Sequence, residues 1–406
     1  MKTIRILSVF LCTFNPFVGV EGTDLAGGQI ITRTDVEDLA DIAKDIRDIR
    51  HECTISENYD YAREIYQEGR NTKDYSLSSF SLLDDFRSGP IHAFQKYGLM
   101  RGDLQKDSLE EWDEKLKWFG HDYILKHFED DDCYIAANAA LVLNVWMKVA
   151  SELWGGWDEC RNLSDPDYMV DFDPNKKADD FIAFWVGSLQ SDLADTGGFS
   201  LFSLTNEIGH YFGTVDRNDV ALANHAIVSS YEDASALLSK TDACSQDDTE
   251  HSTIRELWNI YNVISTQMLI PLMQLLFRAM IEKNVDEVKL YATIVVPQIS
   301  QCRTSTFEHL KANLLDRSYD SAKFYDLYES LISTFDCLGI SCDDIGTPNG
   351  HSVPMCNGPN LVLAEYPSSA ETHQVSWKSP FALQFVRNLV SFKRIFFNIF
   401  LLDGKN

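Results

Sequence analysis

The chain has 406 residues, and 45% of them are apolar, enough to bury a large core. Its 62 acidic residues outnumber 35 basic ones, for a net charge of −27. A surface of that sign repels nucleic acid and anionic lipid, attracts cations and suits solubility outside a cell.

The amino terminus reads as an address. Lys2 and Arg5 precede an apolar run over 6–14, too short to span a bilayer, and Val20 and Gly22 offer small side chains for cleavage after Gly22. This is the layout of a secretory signal peptide, 1–22. Its removal leaves 384 residues and a charge near −28, because Lys2, Arg5 and Glu21 leave with a net +1. Eight cysteines remain: Cys53, Cys133, Cys160, Cys244, Cys302, Cys337, Cys342 and Cys356. An even number in an oxidising compartment predicts up to four disulfides, with the connectivity open. Cys337 and Cys342 could close a short loop or each reach further. The absence of any CxxC argues against a cysteine metal site. Asn162-Leu163-Ser164 is a glycosylation sequon and suits an exposed loop.

Helical periodicity dominates the rest. The first helix spans 35–50, with Val36, Leu39, Ile42, Ile46 and Ile49 on one stripe. Others follow over 59–68, stopped by Gly69, and over 109–128. The nearly unbroken apolar run 134–153 predicts a buried central helix. Helices over 178–193 and 199–212 are separated by Gly197-Gly198, and 220–238 is another. The long segment 253–282 contains Pro271, which predicts a kink or break near Ile270. Segments 285–300, 304–315 and 321–335 complete the set. No stretch reaches the roughly 20 apolar residues of a membrane span. The fold class is therefore predominantly α, a multi-helix globular body stapled by disulfides with an irregular C-terminal tail. The expected organisation is the signal (1–22), an N-terminal helical half (23–215), a C-terminal helical half (216–342), an irregular Pro/Gly/Ser-rich segment (343–380) and an amphipathic C-terminal helix (381–406). Residues 381–402 would dock on the body or lie on a membrane surface.

Motifs of nucleophilic hydrolysis, nucleotide binding and zinc proteases are missing, and no acid/base pair of carboxylates stands out, so the reading is non-catalytic. What remains is oxygen-rich. Asp165, Asp167, Asp171, Asp173, Asp179 and Asp180 fall close together with Tyr168, and Glu129 to Asp132 form a second acidic run. Carboxylates suit hard cations, and phenolate extends the set to ferric iron. Glu207 and His210 stand at i and i+3, half of a di-iron carboxylate pattern without its other half. Arg101-Gly102-Asp103 matches an adhesion tripeptide.

Several segments, in order, resemble the algal iron-assimilation proteins and phytotransferrins. They are Ile65-Tyr66-Gln67-Glu68-Gly69-Arg70-Asn71-Thr72 with 77–80 after it, Phe94-Gln95-Lys96-Tyr97-Gly98, and the stretch 146–160. Next come Asp179-Asp180-Phe181-Ile182-Ala183-Phe184-Trp185-Val186-Gly187-Ser188-Leu189, 201–213, Met268-Leu269-Ile270-Pro271-Leu272-Met273-Gln274 and 292–302. The resemblance covers roughly 55–335. It implies a secreted or cell-surface protein that captures Fe(III), with carbonate as co-ligand, ahead of uptake. Such a carbonate needs a cation or helix N-terminus beside it, and acid would release the metal. Asp179 and Asp180 are the first candidate ligands, followed by Tyr66, Tyr123 and Glu152. The structural alternatives are a helix cap for Asp179, a solvated Asp180, core rings with bonded hydroxyls for the tyrosines, and a helix-surface charge for Glu152. The chain departs from the family at Trp185, where a tyrosine is expected, at Ser151 in place of a histidine, and at Ile208 and Gly209 in place of basic residues. These departures favour the alternative: a non-catalytic extracellular interaction or cell-wall protein on the same scaffold, without metal. Its partners would be other cell-surface proteins.

Overall fold

A computed structural model describes residues 22–81, 119–161, 173–240, 243–244, 252–300 and 302–348, all within one compact unit, Met1–Asn349. The signal segment up to residue 21, Arg101, Asn162, Asp165, Tyr168, Cys356 and the 381–402 segment lie outside the described residues.

The described chain is predominantly α, as its periodicity predicts. Its only sheet there is the two-residue pairing of β1 (Asp24–Leu25) with β2 (Ile30–Ile31). The first predicted helix is two, α1 (Glu37–Ala40) and α2 (Ile42–His51), followed by a π-helical turn, Glu52–Ser56. Helix α3 (Tyr59–Glu68) matches its expected bounds. Asn58 caps it by accepting from the Tyr61 N–H, and Gly69 ends it at φ 74°. Helix α4 spans Phe119–Glu129.

The central rod runs from Cys133 to Arg161: α5 (Cys133–Ala139), a π-helical turn (Ala140–Val145) and α6 (Trp146–Arg161). It outruns its predicted end because Trp154, Trp157 and Cys160 continue the buried face. Helix α7 (Pro174–Val186) starts where Asp173 accepts from the Asn175 and Lys176 N–H groups, with Pro174 in the first turn. It stops at Gly187, short of the predicted 193. Gly187 has φ 72°, and a Cβ there would stand 2.7 Å from Ala43 Cβ.

A Ser200–Ser203 capping box opens α8 (Leu201–Phe212). Helices α9 (Leu222–Leu238), α10 (Ser252–Glu282), α11 (Val285–Ile299), α12 (Thr304–Leu314), α13 (Phe324–Ile332), α14 (Phe335–Leu338) and α15 (Cys342–Ile345) follow.

Helix α10 continues through Pro271, so of the expected kink or break the break does not occur. An interior proline costs about 3 kcal/mol. Against it, Met268, Leu269, Ile270, Leu272, Met273, Leu275, Leu276 and Phe277 are all buried, each worth roughly 1.5–3 kcal/mol. Burial wins. This segment and Cys133–Arg161 are long and apolar enough to cross a membrane by length and composition, contrary to the sequence reading. Their most apolar windows are 67% and 89% buried inside the fold, as core helices are.

Helix α6 packs on α7, α9 on α10, and α10 on α11. Helices before and after residue 216 share one core: the Trp146 indole donates to Met268 O, and Gln274 Nε2 to Thr214 Oγ1. Trp154, Trp157 and Trp258 cluster, with ring centroids 4.6–6.1 Å apart.

Disulfides join Cys53 to Cys133, Cys160 to Cys244 and Cys302 to Cys337. Cys342 is also disulfide-bonded, and it does not pair with Cys337.

Candidate functional site

The central rod presents Asn144, Lys148 and Glu152 at four-residue steps, and the candidate residues arrange themselves around this row. Asn144 sits in the π-helical turn. Its Nδ2 donates to the Tyr66 hydroxyl at 3.0 Å and to Leu77 O at 2.9 Å, leaving Oδ1 buried without a partner. The Tyr66 oxygen also lies 3.2 Å from His121 Nδ1, with the two rings stacked. Burial, opposed by the Asp122 charge, lowers the His121 pKa, so the ring is neutral at neutral pH. Burial likewise pushes the Tyr66 phenol far above its ordinary value. The phenol therefore keeps its proton and shares a hydrogen bond with His121 Nδ1. Tyr66 is the core ring with a bonded hydroxyl.

One turn on, Lys148 Nζ lies 5.7 Å from the ring centroids of Tyr75, Phe80 and Phe184. The same ammonium pairs with Glu152 Oε1, and Lys177 Nζ reaches Glu152 Oε2 at 2.7 Å. Glu152 is only 4% exposed, not a surface charge. Burial alone would raise its carboxyl. The two ammonium groups outweigh burial and hold it below the usual carboxylate range.

Asp180, 5% exposed, gives Oδ2 to Lys176 Nζ at 2.9 Å and has Oδ1 buried without a partner. Burial pushes this carboxyl up against the Lys176 hydrogen bond. The Lys176 side chain is 56% exposed, and solvent screens its hold.

Asp179 faces elsewhere. Its Oδ2 accepts from Arg33 N–H (2.9 Å), Thr34 N–H (2.7 Å) and the Thr34 hydroxyl (2.8 Å), and Oδ1 from the Tyr231 hydroxyl (2.7 Å). It is fully buried, and it fastens the 33–34 segment to α7 instead of capping a helix. Tyr123 stands apart again. Its ring lies 4.8 Å from His127, which is 3.3 Å from Asp132. Its hydroxyl is buried without a partner. Burial, then the charges of Asp132 and Asp286, push its phenol up.

Of the five candidate ligands, the fold brings Glu152 and Asp180 into one electrostatic cluster with Lys148, Lys176 and Lys177. Tyr66 joins the row through Asn144, while Asp179 and Tyr123 face other partners. Among the described residues, no three His, Cys, Asp or Glu side chains are placed to hold a metal ion. Trp185 is fully buried and donates to Asn224 Oδ1 at 3.0 Å. The arrangement fits a ferric ion poorly, because Asp179 and Glu152 are matched by internal donors and Asp180 alone keeps one unpartnered oxygen.

A second polar cluster escaped sequence reasoning. Arg278 of α10 lies 3.6 Å from Glu207 of α8, the residue singled out for its spacing to His210. Glu282 of α10 and Glu287 of α11 share the surroundings, and Tyr134 of α5 donates to Glu287 Oε1 at 3.0 Å. Arg50 of α2 adds a second positive charge while donating to Asn138 Oδ1 at 3.0 Å. The signal was present: Arg278 is the only charged residue between Glu256 and Glu282.

No family model matches the sequence, no curated protein matches it, and no solved structure matches the fold.

Proposed function

We propose that this chain is an exported, non-catalytic interaction protein, and that Tyr66, Tyr123, Glu152, Asp179 and Asp180 build its scaffold instead of holding Fe(III). One observation carries this reading. The three carboxylates are already engaged: Asp179 by four donors, Glu152 by two ammonium groups and Asp180 by one. Iron would have to displace these partners and leave lysines unpaired beside a trivalent cation. Disulfides that tie distant segments support an oxidising compartment. The acidic surface suits a cationic partner protein.

Iron capture is the second reading, favoured by one feature: the buried, unpartnered Tyr123 phenol beside His127, near the charges of Asp132 and Asp286. One titration separates the two. Fe(III) with bicarbonate is added to the purified full chain at neutral pH, and the visible spectrum and retained metal are measured. The expected result is no phenolate-to-iron band and no iron after desalting. A band that vanishes in Tyr123→Phe would overturn the scaffold reading and establish iron capture.

A further inference from the structure

The Glu207–Arg278 cluster is built by five helices, of which only α10 and α11 are neighbours in sequence. Helix α8 supplies Glu207 and Tyr211, α10 supplies Arg278 and Glu282, and α11 supplies Glu287 and Tyr291. Helix α5 brings Tyr134 and α2 brings Arg50. Three carboxylates face two guanidinium groups, an excess of one negative charge. The closest approach between Arg278 and Glu207 is 3.6 Å, longer than a hydrogen bond, and Arg278 Nε is buried without a partner. The cluster is not sealed: the Arg278 and Glu207 side chains are 17% and 27% exposed, so protons can reach it.

We propose that this junction is a proton-loaded clamp, which takes up one proton in mildly acidic surroundings and tightens the packing of α2, α5, α8, α10 and α11. The added proton cancels the excess charge. It also converts one glutamate into a hydrogen-bond donor, ending the competition of three carboxylates for Arg278.

Electrostatics point the same way. Burial raises the carboxyls of Glu207 and Glu282, with Arg278 opposing in both cases. Tyr134, Tyr211 and Tyr291 are also raised by burial and remain neutral phenols throughout. A carboxyl raised in the folded state holds its proton where the unfolded chain has lost it. Its contribution is therefore present at low pH and lost as pH rises through the folded value.

The test is thermal unfolding of the full chain between pH 8 and pH 5.5, in 0.5 M salt to screen surface repulsion. Wild type is compared with Glu207→Gln, Glu282→Gln and the exposed control Glu64→Gln. The wild-type midpoint should rise on acidification. The rise should be smaller by about 2 °C in each junction variant and unchanged in the control. A full rise in both junction variants, or a wild-type midpoint that falls on acidification, would overturn the clamp. Amide hydrogen exchange of the wild type keeps the idea testable if a variant fails to fold. After correction for intrinsic rates, α8, α10 and α11 should be better protected at pH 5.5 than at pH 8, and equal protection refutes the proposal.

Discussion

Glu152 sits between Lys148 and Lys177 with almost no contact with water. Removing its charge leaves two ammonium groups without their shared partner. Breaking a buried pair costs about 3–5 kcal/mol. The two lysines are 22% and 31% exposed, and water can take over part of their solvation, which brings the cost of Glu152→Gln to about 2 kcal/mol at pH 7. The pH dependence has a definite sign. The carboxyl is held below its ordinary value in the folded protein, so its stabilisation is present above the unfolded value, about 4.3, and fades as pH falls through the folded value. Urea unfolding of wild type and variant should therefore differ at pH 7 and converge under strongly acid conditions. A deficit that persists there would show that packing, not charge, holds Glu152. The neighbours Asp179 and Asp180 teach a related lesson. Adjacent in sequence, they invite assignment to one metal site. On a helix, successive side chains are rotated by about 100°, so one binds the 33–34 segment while the other meets Lys176. Adjacent carboxylates on a helix are poor evidence for a shared ligand unless a loop supplies them.

Where elements begin and end, local chemistry and packing compete. The starts of α3 and α8 fell within two residues of their expected places, while α7 begins four residues before the expected 178, because Asp173 carries a side-chain acceptor into its first turn and Pro174 follows it. The end of α7 was misplaced because Leu189 and Leu193 continue an apolar pattern beyond Gly187. That pattern is overruled where the backbone of Gly187 passes against Ala43 and Ser200. A Cβ at this position meets Ala43 Cβ at 2.7 Å and Ser200 Cβ at 3.2 Å, in a conformation nearly reserved for glycine. Gly187→Ala should destabilise the protein by roughly 3 kcal/mol or more, read as a lower urea midpoint with unchanged slope. An unchanged midpoint would mean that α7 can slide away from α2. At Pro271 the break, one of the two expected outcomes, does not occur, because the proline's local cost is small beside the burial of the turns around it. The π-helical turns left no trace in composition. The one over Ala140–Val145 is what aims Asn144 at Tyr66, which explains why that contact could not be foreseen from helical spacing.

The molecule as a whole depends on its cross-links. The three bridges whose two cysteines both lie among the described residues close sequence separations of 80, 84 and 35 residues. Loops of that size are worth roughly 4 kcal/mol each in the chain-entropy model. Their sum, about 12 kcal/mol, is comparable to the whole stability of an ordinary domain, about 5–15 kcal/mol. Treatment with a reductant at neutral pH should therefore unfold the body at room temperature, seen as lost helical circular dichroism. A reduced chain that keeps its helices would place the stability in the core formed by α6, α7, α10 and α11.

The indole cluster makes this loss of cross-links visible from within. Trp157 lies one helical turn before Cys160, with Trp154 and Trp258 packed around it. A disulfide accepts electrons from an excited indole and darkens it. While the Cys160–Cys244 bond is intact, Trp157 and its two neighbours, three of the eight tryptophans, should be dim. When it opens, their emission should rise before the helices melt. The native chain thus carries its own optical gauge of oxidation, and it needs no attached dye.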